Sequence, residues 1–262
     1  KTMRIIFFGT PDFAMPVLEA LQKFSASVSY FRSKFLKDEA VFDEFKKLNP
    51  DLCVVAAYGK IIPKRYLEVP KYGFVNVHPS LLPKYRGPSP VQTAILNGDM
   101  ETGVSIMVVD KEVDHGPILS SSKYQVVSSK GNLEISKELF ELGAKLLVEI
   151  LPKYISGEIK PEPQDHSQAT FTKMFSREDG RINWSDSPQK IYNQIRALNP
   201  EPGTWTVWKN KIINIKAASV KTSESQGKPI LELEIVQLEG KKEMPFKEFL
   251  NGYPDFDISR LN

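Results

Sequence analysis

Two runs of almost unbroken apolar side chains, Arg4–Phe8 and Leu52–Ala57, lead into glycine turns at Gly9 and Tyr58-Gly59. A strand buried on both faces is apolar throughout instead of alternating, and such strands belong to parallel sheets covered by helices. The segments around these runs have the period of helices. Phe13–Lys23 places Phe13, Val17, Leu18 and Leu21 on one face, and Asp38–Leu48 does the same with Val41, Phe42, Phe45 and Leu48. Asn49-Pro50 ends the second of these, because the residue before a proline is pushed out of the helical region. Phe74–His78, Val104–Asp110 and Leu119–Val127 read as further strands. Pro90–Leu96 reads as a helix closed by Asn97-Gly98, and Leu133–Ile155 as a long helix with its stripe through Leu139, Leu142, Leu146, Leu147 and Ile150. The expected class is α/β: a Rossmann-like, open, mostly parallel sheet over residues 1–157.

After Gly157 the texture changes. Residues 158–172 carry Pro161, Pro163 and mostly polar side chains, and read as a linker. Beyond it, Ser187–Leu198 is helical and stops at Asn199-Pro200. Thr204–Trp208, Ile212–Ala217 and Leu231–Leu238 then alternate as short strands. Residues 173–262 are therefore expected to form a smaller β-rich domain, an OB-like barrel.

Composition excludes several classes of function. No apolar run approaches the roughly 20 residues of a membrane span. The opening run leads straight into Gly9-Thr10-Pro11-Asp12, unlike a secretion signal. One cysteine, Cys53, admits no internal disulfide, fits a reducing compartment, and lies in an apolar run where core packing is its expected role. With three histidines beside it, a zinc site is not expected, and no metal is assigned. A cytoplasmic monomer without membrane association is the expectation. Net charge is +3, and from Lys173 onward 14 Lys/Arg face 12 Asp/Glu, so charge alone does not point to nucleic acid.

The chemistry concentrates in Phe74-Val75-Asn76-Val77-His78-Pro79. Side chains alternate along a strand, so Asn76 and His78 share a side, about 7 Å apart. Ligands of open α/β sheets bind at the carboxyl ends of strands. An amide and an imidazole there supply an oxyanion donor and a general base or cationic stabiliser; they would equally satisfy buried polar groups at a strand end. Asp114, in the turn-rich loop Lys111–Pro117 after the next strand, is placed to orient and charge His78 as an aspartate does in hydrolytic triads, or is simply a turn residue. No serine or cysteine sits in a nucleophile elbow, which favours attack by an external nucleophile. The first turn, Gly9-Thr10-Pro11-Asp12-Phe13, lacks the second and third glycines of a dinucleotide fingerprint, and there is no P-loop.

These segments resemble a known family. Phe8-Gly9-Thr10-Pro11-Asp12-Phe13-Ala14 is similar to the opening of methionyl-tRNA formyltransferases. Asn76-Val77-His78-Pro79-Ser80-Leu81-Leu82-Pro83 with Tyr85-Arg86-Gly87, then Thr102-Gly103-Val104 and Asp110 to Gly116, resemble the wider folate-dependent formyltransferases. Asp179–Trp184, Arg196–Pro200, Leu238–Lys242 and Phe249–Gly252 resemble the C-terminal domain of the tRNA enzymes. The resemblance implies transfer of the formyl group of 10-formyltetrahydrofolate to the amine of initiator methionyl-tRNA. In it, Asn76 and His78 stabilise the oxyanion and Asp114 holds His78 and helps move the proton. It also implies that Ser80, Leu81, Leu82 and Pro83 contact the folate, that Lys60 and Ile62 line the pterin pocket, and that Gly9, Thr10 and Phe13 face the aminoacyl end. On the residues alone, Leu81 and Leu82 also suit plain core and Lys60 a solvated charge. Sugar-nucleotide formyltransferases share the Asn/His/Asp set and are the nearest alternative; a non-catalytic RNA-binding protein of the same fold is a more distant one. The chain departs from the family where Val28-Ser29-Tyr30 runs directly into Phe31-Arg32-Ser33-Lys34, without the basic Gly/Arg loop that family members carry there, and again near Thr222–Pro229.

Overall fold

The computed structural model describes residues 2–10, 12–33, 35–223 and 227–261. Two compact units emerge: residues 1–90, 101–125 and 133–173, and residues 91–100, 126–132 and 174–262. The second unit thus takes in two segments that precede Gly157.

The first unit is built on a six-stranded sheet of β1 (Arg4–Gly9), β2 (Ser27–Tyr30), β3 (Leu52–Ala56), β4 (Phe74–His78), β5 (Glu101–Val108) and β6 (Ile118–Gln125), in the order β2-β1-β3-β4-β5-β6. The first four are mutually parallel; β5 runs antiparallel to β4, and β6 to β5. Alternation along the strands divides the core in two. Ile5, Phe7, Leu52, Val54, Ala56, Val75 and Val77 face one side. There they pack with α1 (Met15–Phe24) and α5 (Asn132–Ser156), through Val17, Leu21, Phe140, Leu147 and Leu151. Ile6, Phe8, Cys53, Val55 and Phe74 face the other side, which is largely aromatic. Phe8 touches Phe31, Phe45, Tyr58 and Phe74, and Phe45 also packs on Tyr66. Phe45 comes from α2 (Glu39–Leu48), and Tyr66 from the short α3 (Lys64–Leu67). Cys53 is buried among these groups, and burial pushes its thiol well above the ordinary range.

β2 continues directly into Phe31. Its amide donates to Phe7 O, and its ring is buried in the aromatic cluster. The segment expected to be a linker is held along the first unit. Ile118 and Glu162 exchange both backbone hydrogen bonds, Arg86 N donates to Thr170 O, and Thr172 N returns a bond to Arg86 O.

In the second unit, β7 (Thr204–Trp208), β8 (Lys211–Thr222), β9 (Pro229–Leu238) and β10 (Met244–Pro245) form an antiparallel sheet, bent by irregularities at Ile215 to Ala218. It packs on α6 (Pro188–Leu198) and on α7 (Phe246–Gly252) through Ile191, Ile195, Ile213, Val236 and Phe249. α4 (Pro90–Leu96) belongs mainly to this unit as well. Asn199 ties helix to sheet: its Nδ2 donates to Ile195 O (2.9 Å), Thr204 Oγ1 (2.9 Å) and Ile215 O (3.0 Å). Asn199→Ala is expected to lower unfolding stability by about 1–2 kcal/mol, read by chemical denaturation, because the bonds joining helix to sheet are lost, although Ile195 O keeps the Asn199 N bond and Ile215 O keeps that from Thr204 Oγ1. An unchanged midpoint would show that water replaces the amide.

Candidate active site

Register places three strand ends side by side. Gly9 of β1 pairs with Ala56 of β3, and Ala56 pairs with Val77 of β4, so the turns after Gly9, Ala56 and His78 open at one edge of the sheet. In β4, Phe74 packs in the aromatic cluster, and the period of two puts Asn76 and His78 on the same face, beyond the point where the rings end.

Asp114 joins them. Its Oδ1 accepts from Asn76 Nδ2 at 3.3 Å, and its Oδ2 lies 3.6 Å from His78 Nδ1, an ion-pair distance longer than a hydrogen bond. Oδ2 also accepts from Gly87 N at 2.8 Å. The route differs from the sequence expectation. Because β5 is antiparallel, its loop does not leave from the edge where β4 ends. Val109 N donates to Phe74 O, where β4 begins, and the loop then turns back along β4 to reach Asn76. Strand direction has no trace in an apolar run, so this could not be read from residues 104–110. At the turn, Asp114 is left-handed, with φ 49°. Short polar side chains such as aspartate accept that conformation best after glycine.

His78 is buried, and its Nε2 lies 2.9 Å from Tyr85 O. A carbonyl can only accept, so Nε2 carries a proton and both ring nitrogens face protein oxygens. The ring therefore acts on the cleft through Asp114. Tyr85 (φ 63°) and Gly87 (φ 106°) shape the turn that supplies both the carbonyl for His78 and the amide for Asp114. A Cβ at Gly87 would lie 2.9 Å from Thr172 Oγ1 and 3.0 Å from Thr172 O, so glycine is required there on both counts.

The other expected residues occupy the loops around this trio. Ser80 is fully buried, its hydroxyl donating to Lys84 O (2.6 Å), and Ser105 Oγ bridges Ser80 O and Leu82 N. Leu82 is buried, while Leu81 packs over Gly103 of β5. Ser80 and Leu82 thus build the turn from inside, leaving Leu81 and Pro83 half-buried on it. On the turn after β3, Lys60 is exposed, Ile62 is half-buried, and the intervening Ile61 is 80% exposed. Thr10 Oγ1 donates to Tyr58 O (3.3 Å), joining the first and third strand turns, and Tyr30 OH donates to Gly9 O. Burial raises the Tyr58 phenol above its ordinary value, so it stays a donor to Ser33 O at neutral pH. Phe13 stacks on Phe140, with ring centroids 5.6 Å apart, which makes it a wall residue of the first core. Pro11 lies outside the described residues. Among the described residues, no group of three His, Cys, Asp or Glu could hold a metal ion, and no helix is long and apolar enough to cross a membrane.

A donor amide, an imidazole and a carboxylate within one cluster suit acyl transfer to an external nucleophile. The comparisons with known proteins agree. The family model described as formyl transferase matches residues 10–151, and that of the formyl transferase C-terminal domain matches residues 174–230. The chain belongs to the formyl transferase family. Among its relatives, the methionyl-tRNA formyltransferase of Roseiflexus castenholzii is 40% identical over 262 residues, covering 93% of this chain and 83% of the relative. The solved methionyl-tRNA formyltransferase from Clostridium thermocellum superposes with a TM-score of 0.69 at 25% identity, over 90% of this chain and 98% of that one. HypX from Aquifex aeolicus, solved in complex with tetrahydrofolic acid, shares the fold with a TM-score of 0.76 at 19% identity, over 97% of this chain and 48% of that one. Three groups that support this cluster have no role assigned from sequence: the Tyr85 carbonyl, the Gly87 amide and Gln164. The first two are backbone groups with no side-chain signal, and Gln164 lies in a stretch that reads as linker.

Proposed function

We propose that the chain transfers the formyl group of 10-formyltetrahydrofolate to the free amine of initiator methionyl-tRNA, with Asn76, His78 and Asp114 as the catalytic residues. The observation that carries this reading is the Asp114 carboxylate, which accepts from Asn76 and Gly87 and lies beside His78, in a chain whose curated relatives are methionyl-tRNA formyltransferases. When the methionyl nitrogen attacks, a C–N bond forms and the carbonyl electrons pass to the formyl oxygen. Asn76 has one amide hydrogen on Asp114 and a second to give to that charge. Asp114, with His78 beside it, takes the proton that the attacking nitrogen sheds. When the bond to the folate nitrogen breaks, its electron pair stays on that nitrogen, which is then protonated. Removing one such donor typically costs about 3 kcal/mol of transition-state stabilisation.

The loops fit a pterin chemically. Ile61 and Val113 present exposed apolar side chains on the turns after β3 and β5, which suit the faces of a flat ring. Leu81, Pro83, Lys60 and Ile62 would hold the folate, with Ser80 and Leu82 shaping the turn beneath them, and Gly9, Thr10 and Phe13 would face the aminoacyl end. The reading also takes the division at residues 157 and 173 as catalytic and tRNA-contacting domains, acting as a cytoplasmic monomer. Labelled 10-formyltetrahydrofolate supplied with charged initiator methionyl-tRNA and a 4-amino-sugar nucleotide as competing acceptors tests it. Label is expected on the tRNA, recovered as N-formylmethionine after deacylation. Label on the sugar would keep the chemistry and overturn the acceptor.

A further inference from the structure

The segment 158–172 carries one buried polar side chain, Gln164, 6% exposed. Its Nε2 donates to Asp114 O (2.9 Å) and to Gly116 O (2.7 Å). Its Oε1 accepts from Arg86 Nε (3.1 Å) and Nη2 (2.7 Å), and the Arg86 side chain is itself buried. Only this orientation of the amide satisfies both sets of partners, since a guanidinium can only donate and carbonyls can only accept. Arg86 Nη2 also donates to His166 Nδ1 (2.8 Å), and the His166 ring stacks flat on His115, with centroids 4.1 Å apart. His115 in turn binds Asp110 at the start of the same loop (2.6 Å).

We propose that Gln164, locked by Arg86, is a positioning residue for catalysis: it clamps the loop at Asp114 and Gly116 and so holds the Asp114 carboxylate against Asn76 and His78. This rests on the assignment of Asp114 to the catalytic site. A left-handed aspartate in a loop is strained and persists only where its surroundings hold it. Both carbonyls that Gln164 grips flank the turn that aims the carboxylate. Arg86 belongs to the other supporting turn, beside Tyr85 and Gly87, so one amide connects the support of His78 to the support of Asp114.

Gln164→Glu separates positioning from simple docking of the segment. The carboxylate keeps the size of the side chain and pairs with Arg86 more strongly, but it has no hydrogen to give Asp114 O or Gly116 O. The expected result is a lower thermal midpoint with the protein still folded at assay temperature, KM values for donor and acceptor within about threefold of wild type, and kcat per folded molecule lower by roughly 10- to 100-fold, the scale of a misplacement near 1 Å. Gln164→Met, neutral and of similar shape, is expected to lose kcat similarly when rates are taken per folded molecule. In an Asp114→Asn background, Gln164→Glu is expected to change kcat less than about threefold, since residues acting through one another are not additive. Wild-type kcat in a folded Gln164→Glu variant, or losses that simply multiply, would overturn the proposal. An Asp114→Asn variant that is itself fully active would instead overturn the site assignment beneath it.

Discussion

Replacing Asn76 by alanine is expected to lower kcat by roughly 10²–10³ while leaving the protein folded, the loss that follows removal of one preorganised oxyanion donor. Asn76 is only half-buried and packs at the end of β4, outside both apolar clusters, so truncating it opens no core cavity. What disappears is an amide that bonds Asp114 and has a second hydrogen for the charge forming on the formyl oxygen. Steady-state kinetics with both substrates, beside a denaturation curve, checks this. The fall should lie in kcat more than in KM, because the donor interacts with charge that exists only in the transition state. Near-normal kcat in a folded variant would remove Asn76 from the mechanism.

Gly116→Ala is expected to be the most damaging conservative change in the Asp114 loop, costing about 3–5 kcal/mol. A Cβ there would sit 1.9 Å from Val108 O and 3.0 Å from Val108 C, backbone atoms that no rotamer change can move aside. Relief requires parting the two ends of the loop, yet Val108 N is bonded to Pro117 O at 2.9 Å, and Gly116 O is one of the two carbonyls gripped by Gln164. The variant should therefore show both a lower thermal midpoint and a fall in kcat, since Asp114 lies two residues away. Wild-type stability would mean that the loop tolerates opening, and the close approach at Gly116 would then have no structural weight.

The layout of the first unit was legible because its information is periodic. The unbroken apolar runs of β1 and β3 could only be buried strands, and the spacing of two between Asn76 and His78 put both on one face whatever the rest of the chain does. The Asp114 loop was legible as a turn near a strand end, but its path was not, because the antiparallel sense of β5 depends on a connection and not on composition. α3 and α7 went unread: Lys64–Leu67 is a single turn, and Phe246–Gly252 is too short for a helical period to stand out. Residues 158–172 misled for a physical reason. Prolines and polar side chains usually mark solvated chain, but here the backbone pairs with Ile118 and Arg86, and one glutamine is buried by its bonds to Arg86 and two carbonyls. Such a role depends on partners 50 and 78 residues away in sequence, which no local pattern encodes.

The measurement that bears most directly on direct formyl transfer at this cleft is a rapid-quench single turnover with labelled 10-formyltetrahydrofolate and methionyl-tRNA, on the wild-type protein and on His78→Ala. Label should pass to the methionyl amine without appearing on the protein, and His78→Ala should slow that step by roughly 10²–10⁴ at full donor occupancy, because the Asp114 carboxylate that takes the proton loses the imidazole facing it. Label bound covalently to the protein, or transfer by His78→Ala at the wild-type rate, would contradict the mechanism.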